Sequence, residues 1–448
     1  MSLRDFLELM EEKDQVLHVE NDVSPKFEIS YFIKRFDKDG PILLFEKVRD
    51  GMNKVVANVC GTRNRICEAL GVNGTELYHK LLDACRSPIQ PKITDDGEVC
   101  EVIEEPNLFK LPVLTHFERD AGPYVTASVI HAKSPDGALE NVSIHRLQLL
   151  DERHLAIRLV PRHLYRLWCM AKEAKKDLEI AISVGNHPAV MLAAASSPPF
   201  GVNEFAVANT LLNGKLRLVR CMHVDAYAPA DAELVLEGKI SISHEVMEGP
   251  LVDITGTYDV QRMQPVVEIL GIMRRRDYIY QAVLPSGSEH KLLMGLPREA
   301  AIYEAVSKVV PKVHAVNLSV GGGGWLHAII SIEKQVDGDG KNALLAALAA
   351  HPSLKHAIVV DPDINVFDIS DVEWAIATRF QADEDLLIIE NARGSTLDSS
   401  ADQETGLTAK MGVDATCPMT KSKEKFEKAK IPENERVEGM IRKLLIQR

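Results

Sequence analysis

The sequence predicts a mixed α/β (α+β) chain of three successive units. These are an N-terminal α/β region over residues 1–115, a β-rich, barrel-like unit over 116–288 and a C-terminal α/β domain over 289–448. Three observations carry this. Residues 87–115, rich in proline and acid, read as a crossing segment between helical and strand-like text. Short apolar runs separated by turn residues follow it. After about residue 286, helical and strand patterns alternate. A chain of 448 residues has room for two or three domains with substantial cores.

The opening reads as a helix: Ser2 can cap it, Asp5 lies in its first turn, and Phe6, Leu7, Leu9 and Met10 form an apolar face. Strand text covers 42–60 and helical text 63–85. In the central unit, strand-like runs fall at 125–130, 141–150, 155–160, 179–184 and 216–224, interrupted by a helix at 163–175 and an alanine-rich one near Val190. The C-terminal unit reads as helix 299–309, strands 313–319 and 327–333, helix 341–350, strand 357–360, helix 371–379 and strand 385–389. A Ser/Asp-rich loop, a charged run and an amphipathic helix from Glu433 follow.

Composition excludes several classes. With 52 Lys+Arg against 65 Asp+Glu the net charge is −13, which disfavours nucleic acid as a partner. The 46% apolar and 26% charged fractions are those of a folded globular protein. No apolar run approaches the ~18 residues a membrane span needs. The acidic, amphipathic N-terminus is unlike a signal peptide. Seven scattered cysteines, without a Cys-x-x-Cys pair, fit reduced thiols in a cytoplasm. No dinucleotide or P-loop fingerprint occurs; the four consecutive glycines at 321–324 lack both its spacing and its lysine.

The chemistry-bearing residues are polar ones inside apolar text. Asn141, Ser143, His145 and Arg146 fall in one strand-like run. A strict strand sends Asn141 and Arg146 to opposite faces, so a shared site requires a bulge or turn between them. A half-exposed strand gives the same pattern. Arg162 and His163 open a helix, where free N–H groups suit a phosphate or simply water. Glu204 follows a proline-rich loop. Asn141, His163 and Glu204 together offer an amide oxygen, an imidazole and a carboxylate, a set that suits Mn²⁺ or Mg²⁺ beside a phosphate. Glu248 and Asp253 flank a Gly-Pro turn. Close carboxylates near an arginine keep one acid able to donate a proton.

In their order along the chain, these segments resemble the UbiD family of reversible decarboxylases, a resemblance extended by Leu296 to Glu299, Asp361 to Asn365, Trp374 to Arg379 and Ala392 to Ser395. It implies a split β-barrel domain that binds prenylated FMN, supplied by a separate flavin prenyltransferase. It also implies a C-terminal α/β oligomerisation domain, giving a homodimer or homohexamer. By resemblance, Asn141, His163 and Glu204 hold Mn²⁺ (or Mg²⁺) with K⁺ nearby. Ser143, Ile144, His145, Arg146, Arg158, Leu159, Val160, Arg162, His163 and Leu164 line the flavin, and Lys355 reaches its phosphate. Arg146, Glu248 and Asp253 are the implied catalytic set, with Asp253 standing where some members carry Glu.

The implied reaction removes CO₂ from an aromatic, heteroaromatic or α,β-unsaturated carboxylic acid. The text around His290 and Arg298 is similar to shorter members acting on furan-2,5-dicarboxylate or pyrrole-2-carboxylate, and this pair suits a second anionic group. The alternatives are an anhydromevalonate phosphate decarboxylase and a non-catalytic flavin-binding subunit.

Overall fold

The computed structural model describes residues 1–432 and 434–446. The first helix, Leu3–Glu11, is capped as expected. Ser2 Oγ accepts from the Asp5 N–H at 3.1 Å, and Asp5 Oδ2 accepts from the Ser2 N–H at 2.7 Å. A strand without a clear sequence signal follows, Val16–Val23, and pairs in parallel with Ile42–Val48. Val55–Ala57 and Tyr280–Ala282 complete this four-stranded sheet. The single helix expected over 63–85 is two, Arg63–Leu70 and Glu76–Arg86. Gly71 ends the first with a left-handed φ of 64°, a conformation glycine adopts without a Cβ penalty.

The central sheet has nine strands. It runs from Tyr124–Val125 through Leu147–Leu149, His154–Ile157, Arg262–Arg274, Leu234–Glu248, Leu178–Val184 and Val129–Lys133 to Glu140–Ile144, and Val102–Glu104 pairs beside Arg262–Arg274. Among the described residues the edge strands Tyr124–Val125 and Glu140–Ile144 do not pair, so closure of the expected barrel is not seen. The sheet's two longest strands, Leu234–Glu248 and Arg262–Arg274, pair with slips between Glu237 and Gly238 and again between Ile240 and Glu245. Such bulges bend a strand and increase its twist. Helices His163–Ala174, Pro188–Ser196 and Glu204–Leu211 interrupt the strands.

The last sheet has the order Lys312–Leu318, His327–Glu333, His356–Val360, Leu407–Ala415, Leu386–Arg393. Leu407–Ala415, unforeseen from sequence, inserts between its neighbours, and part of the expected loop from Asn391 belongs to the strand beside it. The terminal helix is Glu435–Ile446; its expected start, Glu433, and residues 447–448 lie outside the described residues. Among the described residues no helix is long and apolar enough to cross a membrane, and all seven cysteines are free thiols.

Helix Ser288–Ser307, longer at its start than expected, ties the units together. Glu289 accepts the Asn58 and Cys60 N–H groups at 2.9 and 2.8 Å. Glu299 accepts the Leu318 N–H at 2.9 Å and pairs with Arg63. Gly295 faces the glycine turn: a Cβ there would come within 2.9 Å of Gly324 O, so this contact is one only glycine allows.

Candidate active site

Strand Glu140–Ile144 ends where the site requires it. His145 and Arg146 turn out of it, and the chain re-enters the sheet as Leu147–Leu149 beside different neighbours. This break lets Asn141 and Arg146 serve one site. The Ser128 hydroxyl donates to His145 O, and the Arg158 N–H donates to Arg146 O at 3.2 Å.

At the Asn141 side, Glu204 is buried at the start of helix Glu204–Leu211, capped by Asn203. Glu204 Oε2 accepts the Val142 N–H at 2.6 Å, while Oε1 lies 2.9 Å from Asn141 Nδ2 and 3.8 Å from His163 Nδ1. His145 Nδ1 donates to Arg158 O at 3.0 Å, and burial pushes its imidazole down to about 4, so its neutral Nε2 accepts from Ser143 Oγ at 2.9 Å. Ser143 Oγ also lies 2.9 Å from Asn141 Oδ1. One hydroxyl proton cannot serve both neighbours. Turning the Asn141 amide over resolves this, because amide O and N are interchangeable in placement. Nδ2 then donates to Ser143, and Oδ1 faces Glu204 beside His163. Two oxygens and an imidazole so disposed fit a divalent cation. His163 begins helix His163–Ala174, whose first N–H groups have no side-chain cap, and this end fits a phosphate.

At the other side, Arg146 grips Glu248 bidentately, Nε to Oε1 and Nη2 to Oε2, both at 3.0 Å. The Glu248 side chain is 0% exposed and also accepts from the Tyr124 hydroxyl at 3.1 Å. Arg146 Nη1 reaches Asp253 Oδ2 at 3.4 Å, and Asp253, at 24% exposure, is the open acid of the pair. Arg146 Nη2 also meets Asp259 Oδ2 at 3.1 Å; Arg158 Nε lies 3.5 Å from that oxygen, and Arg262 Nη1 holds Oδ1 at 2.6 Å. Burial works against the Asp259 charge, but these guanidiniums outweigh it and hold the carboxyl below its ordinary range. Tyr124, Asp259 and Asp120, a half-buried acid beside the hairpin, carried no signal in the sequence. Antiparallel pairing of Tyr124 with Gln148 and the bridge from Val252 to Tyr258 bring the first two in.

The remaining candidates divide. Leu159 and Leu164 are buried in the core, so they offer the site backbone only; Leu159 N–H donates to Gln264 Oε1 at 2.7 Å. Ile144 is half-buried, and Val160 O accepts the Arg162 N–H at 2.6 Å. His290 takes the Ser286 N–H on Nδ1 at 3.0 Å; burial pushes its imidazole down, and it feels the charges of Asp253 and Arg146. Arg298 is pushed down to about 10 by burial and by Arg162. Among the described residues its Nε has no hydrogen-bond partner, and no acid offsets either arginine. Two unmatched guanidiniums fit an anionic ligand. Lys355 is not joined to the Asn141 group: its ammonium meets Asp398 at 2.6 Å and the Ser400 hydroxyl.

Comparison with known proteins gives a consistent answer. Three family models cover most of the chain, described as the N-terminal, Rift-related and C-terminal domains of 3-octaprenyl-4-hydroxybenzoate carboxy-lyase and matching residues 7–85, 92–288 and 291–415. The anhydromevalonate phosphate decarboxylase of Methanothermobacter thermautotrophicus is 45% identical over 95% of this chain and 99% of its own. The structure of HmfF, a UbiD-class enzyme from Pelotomaculum thermopropionicum in complex with FMN, superposes with a TM-score of 0.94 at 40% identity, covering 97% of this chain and 98% of that one. An evolved dimeric form of HmfF in complex with prFMN gives 0.89 at 39% identity, over 96% and 97% of the two chains. Fold and site together define a carboxy-lyase. The chain belongs to the UbiD family.

Proposed function

We propose that this chain is a prenylated-FMN-dependent decarboxylase whose substrate is anhydromevalonate phosphate, rather than the furan or pyrrole carboxylates expected first. The carrying observation is the Arg146 fork on buried Glu248 with the more open Asp253 beside it. Identity of 45% to a relative of that name supports the substrate. So does the chemistry: an α,β-unsaturated acid bearing a phosphate monoester needs a carboxylate dock and a second anion site, and Arg298 without an acid offers the latter.

On this reading the units are 1–115, 116–288 and 289–448, with the bent central sheet as a split barrel against the flavin. Asn141, His163 and Glu204 would hold Mn²⁺ or Mg²⁺, with K⁺ nearby, against its phosphate. Ser143, Ile144, His145, Arg146, Arg158, Leu159, Val160, Arg162, His163 and Leu164 would line it, and Lys355 would have to leave Asp398 to join them. Prenylated FMN, when bound, supplies a sink for the electron pair that departing CO₂ leaves on carbon. Arg146 orients the substrate carboxylate, Glu248 fixes Arg146, and Asp253 delivers the proton to that carbon. His290 faces the same end, and Arg298 receives the phosphate. The chain is read as a cytoplasmic homodimer or homohexamer, for which a light-scattering mass of one subunit would be decisive against.

The test is CO₂ release by protein co-expressed with a flavin prenyltransferase, offered anhydromevalonate phosphate, furan-2,5-dicarboxylate and pyrrole-2-carboxylate. Turnover of the phosphate substrate well above the others is expected; preference for a heteroaromatic acid would return the substrate to the first expectation. For the metal, Glu204→Ala should lose both divalent ion and flavin, and full metal occupancy by elemental analysis would sink that assignment.

A further inference from the structure

Arg146 has five N–H donors. Nε–H and one Nη2 hydrogen go to Glu248, and the other Nη2 hydrogen goes to Asp259 at 3.1 Å. Only Nη1 is loosely engaged, by Asp253 at 3.4 Å. An incoming carboxylate therefore finds one free edge on Arg146, the edge next to Asp253. Asp259 is positioned for this by its hairpin: its N–H donates to Leu251 O at 2.9 Å, and the Asp253 N–H donates to Thr257 O at 2.9 Å. Both acids thus ride on one small ladder.

The charges of this group also balance. Arg146, Arg158 and Arg262 face Glu248, Asp253 and Asp259, three cations against three anions. The other groups packed around them, none of them ion-paired to the three arginines, are His290, whose imidazole burial pushes down, Tyr124, whose phenol burial pushes far up, and Asp120, whose carboxyl burial pushes up against the pull of Arg146. A substrate carboxylate adds a fourth anion, and crowded carboxylates restore balance by taking a proton.

We propose that Asp259 is a positioning residue that fills Arg146 Nη2 and neutralises the cluster, so that the substrate carboxylate docks on Nη1 beside Asp253 and its docking draws in the proton later transferred. The proton settles on Asp253, the most exposed of the three acids. When the bond to the carboxyl carbon breaks, its electron pair stays with the substrate carbon, CO₂ leaves, and the Asp253 proton closes the new C–H bond. The cluster then returns to three against three. This rests on Arg146 as the carboxylate dock and is independent of which acid is the substrate.

Calorimetric titration of the holoenzyme with propionate, a carboxylate with no double bond to react, tests it in two buffers of different ionisation enthalpy. Native protein should take up about one proton per propionate, with affinity falling up to ~10-fold per pH unit. Asp259→Asn leaves one cation in excess, so propionate should bind with little proton uptake and a flat pH profile. Its kcat should drop ~100-fold or more, because Asp253 is no longer loaded, while KM does not rise. Asp259→Glu should restore uptake. Arg262→Gln breaks the same Asp259 ion pair but leaves the Asp259 charge, so the free cluster should already hold a proton and uptake should stay near one per propionate, which a merely structural role for Asp259 does not produce. Equal uptake in native protein and Asp259→Asn would overturn the proposal, as would no uptake in native protein. If Arg146→Ala bound propionate as native protein does, the carboxylate dock would fall with it. A failure of the phosphate substrate alone would leave these titrations standing.

Discussion

At the Arg146 end of the site each guanidinium meets a carboxylate, three of them on Arg146 alone, whereas Arg162 and Arg298 face no acid among the described residues. The first end is complete before any ligand arrives, and its parts hold one another in place. The second carries cations whose burial is uncompensated, a cost that only an anionic ligand removes. The contrast separates two jobs. Damage at the matched end should appear in turnover, and damage at the unmatched end in binding.

The sharpest test is at the matched end. Asp253→Asn keeps shape and hydrogen bonding but removes the transferable proton, so turnover should fall by ~10²–10⁴-fold while the bound flavin spectrum is unchanged. Near-native turnover would move the donor role to Glu248 or water. At the unmatched end, Arg298→Gln should raise KM for the phosphate substrate by ~10–100-fold, the worth of a charged hydrogen bond, with a smaller change in kcat. A fall in kcat alone would erase the distinction between the two ends. The mildest effect concerns stability. Burial pushes His116 and His351 down to about 3 and His187 down to about 4. Unfolded histidines take protons below about pH 6.5 and these folded ones do not, so protons favour unfolding. The urea midpoint should hold steady above about pH 6.5 and decline as pH falls toward 4; a midpoint rising over that range would contradict it.

The parts legible in the sequence were those with local causes. Ser2 and Asp5 announced the first helix, and the strand–helix alternation after residue 286 described most of the last sheet. The period-two argument required a break between Asn141 and Arg146, and the strand does break there. The two longest strands, Leu234–Glu248 and Arg262–Arg274, went unread because bulges at Gly238 and beyond Ile240 interrupt their alternation. Barrel closure could not be read at all, since it depends on edge pairing between distant segments. In the site, family resemblance supplied the residues whose spacing meant nothing by itself, such as Glu204. It left out Asp259, whose position follows from a hairpin register rather than a motif.

Helix Ser288–Ser307 holds one more consequence. His290 and Arg298 stand on it, separated by about 12 Å of rise at 1.5 Å per residue. Glu289 ties the helix to the loop after strand Val55–Ala57 and Glu299 ties it to strand Lys312–Leu318, so it is held at both ends. On the proposed reading it is a ruler: it fixes how far the phosphate-binding Arg298 stands from His290, which faces the Arg146 end where the carboxylate docks. Acids one carbon too short or too long then fail by reach, even though each end alone would bind.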